Sequence, residues 1–164
     1  MFEVNEVVIY RKEVFRIIEK KKEPGSKEIF YTLVPYYEQE GLVTRLKVPA
    51  SNKMGYLRKL STPEQIEDLI RRMPEIKVIK GTTRMIENDY KAKIKNASLE
   101  DLVSIIKTTW LRNKEREDQH KKQGAVDNSY FKQAEKYLYS EIGAVLNISI
   151  EEAKEYVTLK IESE

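Results

Sequence analysis

His120 is the only histidine in the chain, and an imidazole is the first side chain to consider for acid–base chemistry near neutral pH. It stands among Glu117, Asp118, Gln119, Lys121 and Lys122, a solvated setting that reads as a surface histidine. No nucleophile, base and acid are grouped anywhere in the sequence. The carboxylate pair Glu151–Glu152 opens a helical pattern, where acidic side chains favour the macrodipole. Glycine is scarce, and there is no Gly-x-x-x-x-Gly-Lys loop to cradle a phosphate. The absence of cysteine excludes disulfides and thiolate metal sites, and one histidine excludes a multi-histidine centre. The expectation is a non-enzymatic protein without catalytic residues, metal, cofactor or small-molecule substrate.

Binding chemistry has better candidates. Met85-Ile86 places two apolar residues at the start of a helical pattern, after a linker carrying Lys77 and Lys80 and beside Arg84. Lys91, Lys93 and Lys95 follow; Lys91 and Lys95 share a helix face, while Lys93 points elsewhere. Apolar residues beside basic ones suit a minor-groove wedge flanked by phosphate contacts. They suit equally a first helical turn tucked into a bundle, with its lysines in water. Trp110, the only tryptophan, invites a stacking role. Yet Leu102, Ile105, Ile106 and Trp110 recur at helical spacing and predict one buried face, so Trp110 is expected in the core or at a domain interface.

At 164 residues the chain holds one ordinary domain or two small ones. A charged fraction of 35% implies a heavily solvated surface, but a net charge of +3 is too small to argue for nucleic acid by itself. Its distribution says more. Basic residues outnumber acidic ones from Arg71 to Lys122, and the balance turns acidic from Glu135 onward. A local basic stretch is what phosphate contacts require. No apolar run is long enough to span a membrane. Met1-Phe2-Glu3-Val4 lacks the regions of a signal peptide. A cytoplasmic protein with no membrane partner is expected.

The elements that must position these residues change type once, between Asn52 and Ser61. Before this seam the pattern is short strands: Phe2 to Tyr10, Val14 to Glu19, Ile29 to Tyr36 and Leu42 to Val48, with Tyr56 to Leu60 a last strand or bridge. Lys20 to Lys27 reads as a charged turn tipped by Pro24-Gly25-Ser26. Short connections predict an antiparallel, strongly curved sheet or small barrel. After the seam come helices. Thr62-Pro63-Glu64-Gln65 is a capping box with proline at the first position, and Pro74 ends that helix. A second helix spans Met85 to Lys95, and Ser98 opens a third. Asp127 or Asn128 caps a fourth, bearing Phe131, Ala134, Leu138, Ile142 and Val145. Ser149-Ile150-Glu151-Glu152 opens a last one, carrying Ala153, Val157 and Ile161. The fold class is α+β, in two parts: residues 1–60 and 61–164.

In order and spacing these residues are similar to the CarD family of bacterial transcription regulators over nearly the whole chain. The N-terminal match runs from Phe2-x-Val4-x-Glu6-x-Val8-x-Tyr10 through Lys47-Val48-Pro49-Ala50-x-Asn52 to Leu57-Arg58-x-Leu60-Ser61. The C-terminal match is Tyr90-Lys91-Ala92-Lys93, then Leu102-Val103-x-Ile105-Ile106-Lys107-x-x-Trp110-x-Arg112, then Ala134-x-x-Tyr137-Leu138-x-x-Glu141-Ile142. The resemblance implies an N-terminal Tudor-like β barrel that docks on the RNA polymerase β subunit, as in transcription-repair coupling factors. It implies a helical C-terminal domain that contacts promoter DNA at the upstream edge of the melted region and stabilises the open complex. By position, Lys21 and Lys47, with Pro49 beside them, resemble the polymerase-facing residues. Arg84, Met85, Ile86, Lys91, Lys93 and Lys95 fall in the DNA-contacting stretch, through the minor groove and phosphates.

Several positions depart from the family pattern. Its wedge tryptophan falls at Ile86, Trp110 matches a helix-core position, and Asn88 and Asp89 stand where basic residues are common. The stretch at Asn96-Ala97 is shortened, and Gln119 to Asp127 carries extra polar residues. The alternative reading is a module that binds polymerase or another protein without touching DNA.

Overall fold

The structure, a computed structural model, describes residues 1–37, 41 and 44–162. An antiparallel five-stranded sheet is followed by five helices. The strands are β1 (Val7–Tyr10), β2 (Glu13–Lys22), β3 (Ile29–Pro35), β4 (Leu46–Pro49) and β5 (Leu57–Lys59). Their spatial order is β4-β3-β2-β1-β5. The expected fourth strand began at Leu42; Leu42 and Val43 lie outside the described residues, and pairing begins at Leu46.

Two expectations about the sheet are corrected. The charged stretch after Glu19 is not all turn. Lys20, Lys21 and Lys22 stay in the ladder opposite Tyr31, Phe30 and Ile29, after a register shift between Ile17 and Glu19. Nor do the described strands close into a barrel, because no ladder joins β4 to β5. The two strands are short, of four and three residues, and the link between them turns at Asn52. The Asn52 carboxamide replaces the missing neighbour: its Nδ2 donates to the Leu57 carbonyl at 2.7 Å, and its Oδ1 accepts from the Leu57 N–H at 3.0 Å. One side chain thus satisfies the backbone of an edge residue that a barrel would have paired.

The inner face of the sheet follows from alternation. Val8, Phe15, Ile17, Tyr31, Leu33, Val48 and Leu57 form one buried cluster. The Ile9–Val14 pair, on the opposite face, is also buried, and β2 packs against a helix there.

The helices are α1 (Pro63–Arg72), α2 (Thr83–Asn96), α3 (Leu99–Asp118), α4 (Ala125–Leu146) and α5 (Ile150–Glu162), with a 3₁₀ turn at Met73–Glu75. The capping signals are met in atoms. Thr62 Oγ1 accepts from Gln65 N–H at 3.1 Å while Gln65 Oε1 accepts from Thr62 N–H at 2.9 Å. Ser149 and Glu152 make the same reciprocal pair, at 3.0 and 3.1 Å. Ile66, Leu69, Tyr90, Leu102, Ile105, Leu138, Ile142, Ala153 and Val157 build a second core, separate from that of the sheet. The side chain of Ile161 lies outside the described residues.

Trp110 is not in that core; it is 58% exposed. The reason lies in two threonines beside it. Thr108 and Thr109 are 2% and 0% exposed, and Ser104 is also buried. Their hydroxyls are satisfied: Ser104 donates to Lys77 C=O at 2.8 Å, Thr108 donates to Ser104 C=O at 2.7 Å and accepts from Ile79 N–H at 2.9 Å, and Thr109 donates to Ile106 C=O at 3.0 Å. The 76–82 connector lies along this hydroxyl row, so α3 buries polar residues that an apolar-periodicity argument leaves in water. The buried arc turns toward them, and Trp110, about 80° around the helix from Leu102, is left at its rim.

Candidate functional site

The structure brings the three N-terminal candidates together. Lys21 is directly across from Phe30, and Phe30 directly across from Pro49. Lys47, two residues before Pro49, shares that face, and its ammonium sits 4.8 Å from the Phe30 ring centroid while pairing with Glu23. Lys21, Lys47 and Pro49 are exposed, and β4 is an edge strand. This face therefore offers an aromatic platform, two ammonium groups and a strand edge that no described strand pairs. Phe30 is a member that sequence reasoning missed. Only the strand register identifies it.

The C-terminal candidates are divided. Arg84, Asn88, Lys91 and Lys95 recur at helical spacing, and all four are exposed, forming one stripe on α2. Met85, beside the stripe, is 59% exposed, whereas Ile86 is 8% exposed and belongs to the helical core with Tyr90 and Ile94. Ile86 therefore keeps little surface for a groove wedge; the exposed apolar residue is Met85. Lys93 is turned inward toward Asp101, with Nζ 3.5 Å from Oδ1. Burial raises the affinity of Asp101 for a proton, but hydrogen bonds from Asn96 and Ser98 and the Lys93 charge outweigh it and hold the carboxyl below its ordinary range.

The position of α2 is fixed from beneath. Tyr90 donates to Asp127 Oδ1 at 2.7 Å, and Arg116 Nη1 donates to Asp127 Oδ2 at 2.5 Å. Asp127 is 2% exposed. It was expected as a helix cap. Instead the cap falls three residues earlier, at Gly124, and Asp127 points from the first turn into the bundle. A Cβ on Gly124 would fall 2.5 Å from Arg116 Nη1, so glycine lets the guanidinium in. Burial, then the bond to Asp127, raises the Tyr90 phenol far above its ordinary value, so it remains a donor.

A buried carboxylate joins the sheet to the helices. Glu141 of α4 accepts from Arg58 Nη2 at 2.5 Å and Nη1 at 3.0 Å, and from Ser61 Oγ at 2.6 Å and N–H at 3.0 Å. Burial pushes its proton affinity up, but Arg58 and Ser61 outweigh that and hold the carboxyl below its ordinary range. A fork-shaped guanidinium and two further donors satisfy nearly every lone pair, which is what a buried carboxylate needs. Beside it, Tyr37 donates to Ser140 C=O at 2.6 Å, Tyr36 to Asn147 Oδ1 at 3.2 Å, and Lys136 to Glu13 at 3.0 Å. A Cβ at Gly143 would meet Tyr37 Oη at 2.5 Å. The residues of this joint were missed as a group, because 83 positions separate Arg58 from Glu141. The available signal was a glutamate between Leu138 and Ile142 on an otherwise apolar helix stripe.

His120 is exposed, in the turn after α3. Among the described residues no cluster of three or more His, Cys, Asp or Glu side chains could hold a metal ion, and no helix is long and apolar enough to cross a membrane. No family model and no curated protein matches the chain.

Proposed function

We propose that this protein is a non-enzymatic transcription regulator that docks on the RNA polymerase β subunit and touches promoter DNA to modulate open-complex stability. The reading of the N-terminal sheet as a Tudor-like docking domain belongs to this proposal. Its first support is the convergence of Lys21, Lys47 and Pro49 around Phe30 on one exposed sheet face. Lysines bearing on an aromatic beside an open strand edge suit an acidic, strand-presenting protein surface. Its second support is the stripe Arg84, Asn88, Lys91 and Lys95, whose cations suit phosphate contacts without sequence preference. Met85 takes the apolar role in place of Ile86. Arg84, Lys91 and Lys95, which make no ion pair among the described residues, would release few counterions, so DNA affinity is weak in solution and matters when docking raises the local concentration.

The test measures docking and DNA contact separately on the full chain. Binding to the isolated β-subunit lobe is expected to weaken by about 1–3 kcal/mol in Lys47→Glu. Undiminished affinity in the double variant Lys21→Glu, Lys47→Glu removes this face from the interface. The alternative, a protein-interaction module that makes no DNA contact, draws on the burial of Ile86, the inward pairing of Lys93 and the presence of Asn88 and Asp89 on α2. It prevails if Lys91→Glu and Met85→Ala dock normally and leave open-complex lifetime unchanged.

A further inference from the structure

Trp110 is used by neither surface above. From the rim of α3 it lines, with Phe131, Lys114 and Lys132, a hollow of about 540 Å³ against α4. A second hollow, of about 290 Å³, lies where α3 and α4 meet α5 and the Met73–Glu75 turn; Ile106 and Tyr139 are its half-buried apolar residues, while Met73, Val103, Leu138 and Val157 beneath them are buried in the core. The two hollows share no lining residue but follow one another along α3 and α4, since Ile106 and Tyr139 of the second stand one helical turn from Trp110 and Glu135 of the first. Taken as one groove they run about 17 Å from Val103 to Lys114, or three helical turns. One end is almost wholly apolar. The other presents an indole face and two lysines.

Charge determines what fits. Glu135, on the groove wall, is paired with Lys154. The Lys107 ammonium donates to the carbonyls of Met73, Pro74 and Ile76. Lys114 lies 5.1 Å from the Trp110 ring centroid, and neither it nor Lys132 makes an ion pair among the described residues. Opposing them is Glu117, which accepts weakly from Gln123 at 3.5 Å. The uncompensated charge at the Trp110 end is positive.

We propose that this groove docks an amphipathic helix of a partner protein, with acidic residues in the partner's first turn over Lys114 and Lys132 and its apolar stripe running along Trp110 and Phe131 toward Ile106 and Tyr139. A helix brings its own backbone hydrogen bonds into an apolar groove, whereas a nucleic-acid strand needs cations along its whole track. Acidic residues are favourable in a helix's first turn, and that sets the orientation.

The single tryptophan reports on the groove directly. The full-length protein is titrated with a lactam-bridged amphipathic peptide of about 14 residues, with leucines at helical spacing and glutamates in its first turn. A saturable shift of Trp110 emission to shorter wavelength is expected, with affinity about tenfold higher than for the peptide bearing lysines in place of the glutamates. The double variant Lys114→Glu, Lys132→Glu should reverse that preference. Lys132→Glu, at an exposed position, should at least abolish it, and its thermal midpoint should equal that of the wild type. Absence of a saturable shift overturns the proposal, as does equal affinity for both peptides. So does a shift produced only by oligo-dT, which indicates a nucleic-acid groove. A shift that follows protein concentration alone overturns it in favour of a second copy.

Discussion

Glu141 is a buried acid with four donors aimed at it, and that decides how it responds to substitution and to pH. Glu141→Gln keeps the shape but loses the ion pair and places an amide N–H₂ against donors. A loss of about 2–3 kcal/mol is expected in chemical denaturation, below the range for a fully buried pair because Arg58 is 44% exposed and can be rehydrated. The folded-state affinity of Glu141 for a proton is lowered from the ordinary value of 4.5. Its contribution is therefore complete above that value and is lost as pH falls through the folded-state value. The stability gap between wild type and Glu141→Gln should be full at neutral pH and shrink once the pH drops below about 4. Tyr37 marks the alkaline side. Burial, then Tyr36 and Glu151, raise its phenol from 10.0 to about 12, so the stability it contributes declines between those values as the unfolded chain ionises first. Trp110 provides the contrary case. Because it is exposed, Trp110→Ala should cost less than about 1 kcal/mol, where a core tryptophan would cost about 3–5 kcal/mol; thermal melts distinguish the two.

Element by element, the capping grammar was the most legible part of the sequence. Thr62, Ser98 and Ser149 act where their spacing placed them, because a cap is a local bond between residues three apart. Thr62→Ala should lower stability by about 1 kcal/mol, read from the denaturation midpoint. The fourth helix was misjudged at its start. Asp127 resembles a cap, but the half-buried Arg112 and Arg116 and the buried Tyr90 draw it inside. Helix α2 gives the sharpest functional contrast. Lys91 is exposed on the stripe, and Lys93 is paired with Asp101. If α2 touches promoter phosphate, Lys91→Glu should shorten open-complex lifetime on all promoters alike, while Lys93→Glu should act mainly by lowering the melting temperature. Equal effects of the two on lifetime at unchanged stability would remove the stripe from the contact.

For the whole molecule, the Arg58–Glu141–Ser61 joint ties the sheet to the helices, because Glu141 without Arg58 and Ser61 would be a buried charge left unmet. Arg58→Ala should leave docking on the β-subunit lobe intact, since Arg58 lies off the Lys21–Lys47 face. It should broaden the small-angle scattering distance distribution and shorten open-complex lifetime, because a loosened joint lowers the effective concentration of α2 at DNA. Unchanged scattering would mean that the Tyr36, Tyr37 and Lys136 contacts hold the two halves without it. The sequence by itself determined the change from strands to helices near Asn52–Ser61, four of the five strands, the number of helices and most of their caps, while Tyr56 to Leu60 stayed open between strand and bridge. These are set by alternation, helical spacing and bonds between near neighbours. Only the tertiary structure showed that no ladder joins β4 to β5 and that the Asn52 side chain bonds the Leu57 backbone instead, a contact that alternation does not announce. Only it placed Ile86 inside and Trp110 outside: α3 buries Ser104 and Thr108, whose hydroxyls meet the connector, and Thr109, whose hydroxyl meets the Ile106 carbonyl of its own helix. Only it revealed Glu141 as the joint, since a bond across 83 residues leaves no periodic trace in the chain.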